Sequence, residues 1–459
     1  MGEIRAFLAR FAAVALLTIR EITRRKFFIV LILFTLGLLS VFALAPGLDP
    51  NSTLRVMLTW IFRATTIFLA ILAVFIAGTS LPLDIERRQI YALASKPIAK
   101  PTILLGKFGG FAVVLLLSLA GLGMISILML RGAQLAFTFG DSKPGAPKSF
   151  PLESWPRLAG EFVWTEAHKS EYQGTRPEEA RRFRLRGESL EGRFRYRFSG
   201  LSPGRFNMNI PCRLKFTASG ESMYDFSVNL RLVVINPETD ARQEIACPQT
   251  LNNEWYRPPQ DIPRTFISSG GELWLEVYRA EPVGAIVADR DRISRQQEGV
   301  FIYEAPELFE LTLVKALLMV FIEGLFLLAV VVASSSILSG PVTLFLGISI
   351  FFVCSVYGFL SDSVRDVEQT LEYLERSEHA GHGHREAELP SWLMRISSAI
   401  SKGVLGAVPD FRSLDPTPYL LDDVAIPLRA LVGGMGSVII HIVISLALGC
   451  LSIRLRDLT

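Results

Sequence analysis

Few residues in this chain combine a type and a spacing that could do chemistry. Gly106 and Lys107 close the stretch LPLDIERRQIYALASKPIAKPTILLGKFGG, residues 81–110, like the tail of a phosphate-binding loop. Such a loop needs a glycine five positions before the Gly-Lys pair and a hydroxyl residue after it, so that backbone N–H groups wrap the phosphates. Pro101 and Phe108 stand there instead, so no nucleotide is expected. His379, His382 and His384, in RSEHAGHGHREAE, have a spacing that could reach zinc. Glycines surround them and no fourth ligand is in view, so a solvated loop explains them better and no metal is expected. His168, in WTEAHKSE, is the histidine around which a Ser-His-Asp triad would have to form. Its charged setting reads as wet surface. Trp155, Trp164, Trp255 and Trp274 could line a ligand face, and read more simply as core or edge residues. No catalytic residue, no enzymatic activity and no cofactor is expected.

Six residues remain as candidates. Glu323 falls in the middle of a long apolar run, where a carboxylate is costly and usually faces a protein interior or a wet path. It is a candidate intramembrane polar contact, neutral or paired with a group such as His441. Cys212 and Cys247 are the cysteines of the polar middle of the chain. A disulfide and two buried free thiols are both open, since an oxidising location allows a bridge. Gly106 and Gly110, four apart, could let two helices approach closely.

The elements that carry these residues follow from hydropathy. Half of the 459 residues are hydrophobic and a fifth are charged, and mean hydropathy is +0.37. That is too oily for an ordinary soluble domain. The net charge of +3 singles out no partner, and no nucleic acid is expected. Several charge-free windows are long enough to cross a hydrocarbon core as helices. Residues 1–26 read as a cytoplasmic interfacial helix, with Arg5, Arg10, Arg20 and Glu21 among apolar residues. Residues 27–130 carry spans at 27–45, 58–80 and 108–130, with a basic cytoplasmic segment, 81–107, between the second and third. Arg63 would snorkel near the outer end of the second.

Residues 131–306 are different material, an inserted extracytoplasmic region rich in strands. GRFRYRFSG, CRLKFTASG, FSVNLRLVVI and GELWLEVYRA alternate as half-wet strands do, which predicts a β-sandwich or jelly roll. Residues 307–360 supply spans at 311–332 and 341–360, split at SSSILSGP. Residues 361–429 form an external polar loop with an amphipathic part. Residues 430–459 give a last span and a short basic tail. The expected fold is thus an all-α polytopic membrane protein of six spans, both ends cytoplasmic, with an inserted all-β domain.

Segment 81–107 resembles the cytoplasmic loop of permease subunits of ABC-2 type ABC transporters. The likeness lies in Glu86, the run Tyr91, Ala92, Leu93, Ala94, Ser95, Lys96, Pro97, Ile98, and then Ile103, Leu104, Leu105, Gly106, Lys107. TIREITRRKFFIVLI resembles that family's approach to its first span, VVASSSILSG its serine-bearing break, and VLGAVPDF, with Pro409 and Phe411, its Pro-x-Phe stretch. The external region departs from the family, where that connection is short.

The resemblance implies a permease in a bacterial inner membrane. It would pair with a second copy or a paralogue and with separate ATPase subunits. Residues 84–96 would be a coupling helix, with Glu86, Arg87, Arg88, Tyr91, Lys96 and Pro97 at the ATPase contact. Arginines offer polar contacts there, and Pro97 and Pro101 end the helix. ATP hydrolysis by the partner would drive export or envelope translocation of a substrate the sequence does not name. The alternative is a membrane-anchored binding or assembly protein whose external domain takes a protein or polymer ligand, with lipid around its spans.

Overall fold

The computed structural model describes residues 2–24, 32, 34–37, 39–40, 50–86, 99–139, 153–163, 182–185, 193–206, 208–215, 217–219, 227–251, 256–279, 285–289, 299–357, 361, 364, 391–407 and 409–455. The chain divides into two units. One joins Met1–Leu152 to Phe309–Thr459, and the other is Glu153–Leu308.

The first unit is helical. Its helices are α1 (Gly2–Arg24), α2 (Pro50–Glu86), α3 (Lys100–Phe139), α4 (Phe309–Ser335), α5 (Gly340–Tyr357), α6 (Ser391–Ala407), α7 (Thr417–Leu421) and α8 (Leu428–Leu455). Among the described residues five segments are long and apolar enough to cross a membrane: Val56–Ser80, Lys100–Leu135, Phe309–Ser335, Gly340–Tyr357 and Leu428–Leu455. A span needs about twenty such residues. Helix α4 is the hub, 67% buried over its apolar window, against 17% for α5 and 22% for α8. It packs on α2, α3 and α8 through Leu313, Ala316, Met319, Leu327, Leu328 and Val332, none exposed by more than 1%. The outer faces stay bare: Leu117, Met124, Leu128, Phe345, Phe352, Val432 and Ile440 are all exposed. Apolar area on that scale is stable only against hydrocarbon. The chain is an integral, polytopic membrane protein.

Small residues set how closely these helices approach. A Cβ on Gly106 would lie 2.7 Å from Val14 Cβ, and one on Gly110 would lie 2.8 Å from the Ala15 carbonyl oxygen and from Thr18 Cβ. Helix α1 therefore lies directly on the first turns of α3. Its contact face repeats every four residues at Val14, Thr18 and Ile22, all buried, while Leu16 and Leu17 face outward. Thr18 donates its hydroxyl to the Val14 carbonyl at 2.9 Å, so no polar group is orphaned in this contact.

The second unit is built from antiparallel sheets. The largest has five strands in the order Arg242–Leu251, Ser227–Ile235, Leu273–Arg279, Phe194–Phe198, Glu161–Val163. A three-stranded sheet orders Arg157–Ala159, Gly299–Tyr303, Cys212–Lys215. Phe194, Tyr196, Phe198, Leu232, Val234 and Leu275 point from the large sheet into one core, which Leu214, Val300 and Ile302 of the smaller sheet complete. Alternation sends Arg193, Arg195 and Arg197 to the opposite face. There Arg195 meets Glu276 at 2.5 Å, Arg193 meets the same carboxylate at 3.4 Å, and Arg197 pairs with Glu272. Arg193 lies over the Tyr278 ring and Arg195 over Trp274.

Two expectations need correction. The architecture is mixed α/β with five apolar helices among the described residues, not six spans carrying a β-sandwich or jelly roll. Most of 27–45, expected as the first span, lies outside the described residues. The sheets are open. Among the described residues the edge strands Arg242–Leu251 and Glu161–Val163 do not pair with each other to close the large one. Alternation fixes which face of a strand is wet, but not which strands pair or whether a sheet closes.

Candidate functional site

Within the helical unit a cleft of about 200 Å³ opens between α2, α4, α5 and the segment leading into α8. Its walls carry Glu323 from α4, Arg63 and Thr66 from α2, Cys354 and Ser355 from α5, and Arg412, Asp415 and Thr417 from the segment. Phe62, Phe351, Phe411 and Pro416 complete it.

Local sequence explains how the segment is held. Asp410 accepts from the Arg412 amide at 3.0 Å and starts a tight turn, Phe411–Leu414. Ser413 donates its hydroxyl to the Asp410 carbonyl at 2.7 Å, and Asp415 accepts from the Thr417 amide at 3.0 Å. These are short-range side-chain bonds that Asp and Ser form readily. Phe411 packs edge-on to Phe326 of α4, with ring centroids 5.6 Å apart. Leu414 is fully buried, and a Cβ on Gly434 of α8 would lie 2.9 Å from it. The segment is therefore clamped between α4 and α8.

The charges are unevenly matched. Arg63 pairs with Asp415 at 3.6 Å. Arg412 lies 3.6 Å from Asp410, donates to Ser361 Oγ at 2.7 Å and covers the Tyr357 ring. Glu323 is 8% exposed and makes no hydrogen bond or ion pair among the described residues. The fields of Asp415 and Arg63 both reach it, one repelling and one attracting. Chemically the arrangement is a buried carboxylate facing a polar cleft whose arginines are already engaged. It can take up a cation or a proton.

The other sequence candidates lie elsewhere. His441 Nδ1 is 2.8 Å from the Ser437 carbonyl of its own helix, and its ring meets Phe326 edge-on. Glu86 ends α2. Arg87, Arg88, Tyr91, Lys96 and Pro97 lie outside the described residues, as do His168, the three histidines near 380, Trp164 and Trp255. Lys107 is buried inside α3, 3.4 Å from Ser80 Oγ on α2. Cys212 and Cys247 are free thiols in the core of the sheet unit. Burial pushes the Cys212 thiol well above its ordinary pKa and that of Cys247 up to about 12, so neither supplies thiolate at neutral pH. Among the described residues no group of three His, Cys, Asp or Glu could hold a metal.

Sequence reasoning singled out Glu323 and read Arg63 only as a snorkelling end. It missed Arg412, Asp415, Thr66 and Ser355. The available signal was a charged stretch between Pro409 and Pro416, just before the last apolar run, with a lone acid inside another run. Comparison with protein-family models, with curated proteins and with solved structures finds no match to this chain.

Proposed function

We propose that this chain is the membrane subunit of an ATP-driven transporter of the ABC-2 permease type, working with a separate ATPase. Two membrane subunits, identical or paralogous, would sit on two ATPases. Residues 84–96 would receive the push when ATP closes them. The observation that carries the reading is the clamp of α1 on α3 at Gly106 and Gly110, at the end of α3 that adjoins the coupling segment. A push on a short link moves a membrane helix only if that helix is stiff and braced where the link joins it. Helix α2 ends at Glu86 and α3 begins at Lys100, so both flanking helices are long and continuous. The resemblance of 81–107 to permease coupling loops would make a separate ATPase the source of that push.

The basic surplus in this segment favours its cytoplasmic side. On this reading α1 would lie at the same face, the sheet unit would lie outside a bacterial inner membrane, and the tail after Arg454 would lie within. The sheet unit would meet an extracytoplasmic protein or polymer.

The test is affinity purification of the tagged full chain from its own membranes. We expect a nucleotide-binding ATPase to be retained, with its retention falling at least tenfold when Arg87, Arg88 and Tyr91 are all replaced by alanine. If no ATPase is retained by the unaltered chain, the reading is wrong.

A further inference from the structure

The cleft around Glu323 contains a buried carboxyl group that no side chain among the described residues bonds. Arg63 is committed to Asp415 and Arg412 to Asp410, Ser361 and the Tyr357 ring. Glu323 is more than nine-tenths buried, lines the cleft, and forms no ion pair or hydrogen bond among the described residues. Asp415 adds a like charge to its surroundings. An isolated carboxylate inside a membrane unit is unfavourable until a positive group reaches it.

Chemistry narrows what that group is. The volume, about 200 Å³, is roughly seven waters' share of liquid, so the occupant is small or is only the head of something larger. A hard divalent cation takes six or more oxygen ligands, several of them carboxylates. Here no triad of ligating side chains exists among the described residues. An ammonium group fits better. It has three donors, for which Glu323 and the hydroxyls of Thr66, Ser355 and Thr417 supply acceptors on the cleft wall. Phe62, Phe351 and Phe411 offer apolar and aromatic surface to the carbon body that an ammonium carries.

We propose that the cleft binds a primary ammonium group, with Glu323 as its counter-ion. The group could belong to a phospholipid head or to a free amine, which present the same chemistry. The inference goes beyond the ATPase-coupled reading and does not require it.

The test uses the purified full chain in nanodiscs of phosphatidylglycerol, a lipid without an amine. In one arm phosphatidylethanolamine is doped into the discs and its retention is measured by native mass spectrometry. In the other, benzylamine is titrated calorimetrically, with benzyl alcohol as the neutral control. We expect at least one amine to bind saturably. Glu323→Gln, which keeps the shape, should weaken that binding at least tenfold. Ser355→Leu, which fills the cleft and keeps the carboxylate, should weaken it as well. Retention of the lipid alone identifies a lipid head as the source, and binding of benzylamine identifies a free amine. Absence of saturable binding by either, binding unchanged in both variants, or equal binding of benzyl alcohol overturns the proposal. No ATPase is present in this assay, so its failure and the failure of the coupling reading are separate results.

Discussion

Glu276 in the sheet unit and Glu323 in the helical unit are both almost fully buried, 3% and 8% exposed. Their surroundings are opposite. In the large sheet the antiparallel register sets Glu276 across from Arg195, and the carboxylate also reaches Arg193. Each guanidinium in turn lies over an aromatic ring. Around Glu323 the nearby arginine is engaged by Asp415, and apolar rings share the wall. Burial alone therefore does not tell what a carboxylate is for. With two guanidinium groups it is a strut between strands. Without one it is a group waiting for a ligand or a proton.

Three measurements would break or sharpen that contrast. The largest effect is expected for Glu276→Ala. It strands two part-buried arginines, and removing one partner of a buried pair costs ~3–5 kcal/mol. Both arginines reach some water, so about 2–3 kcal/mol is expected here. Hydrogen exchange across Phe194–Phe198 and Leu273–Arg279 should quicken accordingly, and unchanged exchange would mean the strut holds nothing.

Glu323→Gln should move stability the other way. Replacing a buried carboxyl group that no side chain among the described residues bonds by a neutral amide of the same shape is expected to stabilise the full chain by about 1 kcal/mol. A thermal melt in detergent reads this directly. A clear loss of stability would show that Glu323 has a structural partner after all.

The smallest effect concerns Glu244, at the rim of the same sheet as Glu276. The Arg231 guanidinium and then the Tyr278 hydroxyl hold its carboxyl below the ordinary carboxylate range. The folded pKa is thus lower than the unfolded one. The stabilisation is complete above the unfolded value, about 4.3, and is lost as pH falls through the folded one. Glu244 is half exposed, so less than about 1 kcal/mol is involved. Melts at pH 7 and pH 3 should show a smaller acid loss in Glu244→Gln than in the unaltered chain.

What the sequence made legible was whatever a single segment decides. The charge-free run from Ala64 to Leu83 lies inside α2, and FRYRF became a strand with its aromatics inward and its arginines outward. The lone acid, Glu323, stands out as an anomaly in its apolar run by residue type alone. Its neighbours do not. Asp415 and Arg63 come from distant parts of the chain and meet only because Phe411 and Leu414 seat their segment against α4 and α8. Strand order was hidden for the same reason. Ser227–Ile235 pairs with Leu273–Arg279 across two intervening strands and a turn, and no local pattern announces it. The count of spans failed where hydropathy alone had to stand for structure.

The turn between α4 and α5 has a consequence for how the two helices stand in a bilayer. Ser334, Ser335 and Ser336 each return a hydroxyl hydrogen bond to the carbonyl three residues back, which caps the end of α4. Leu338 N–H donates to the Ser334 carbonyl, and Thr343 N–H to that of Ser339, so the next helix starts almost at once. From Ser335 to Gly340 the backbone can reach roughly 18 Å even when fully extended. That is well short of the ~30 Å of a hydrocarbon core. Two membrane-crossing helices joined by so short a link must turn back on one face of the bilayer and stand side by side as a hairpin.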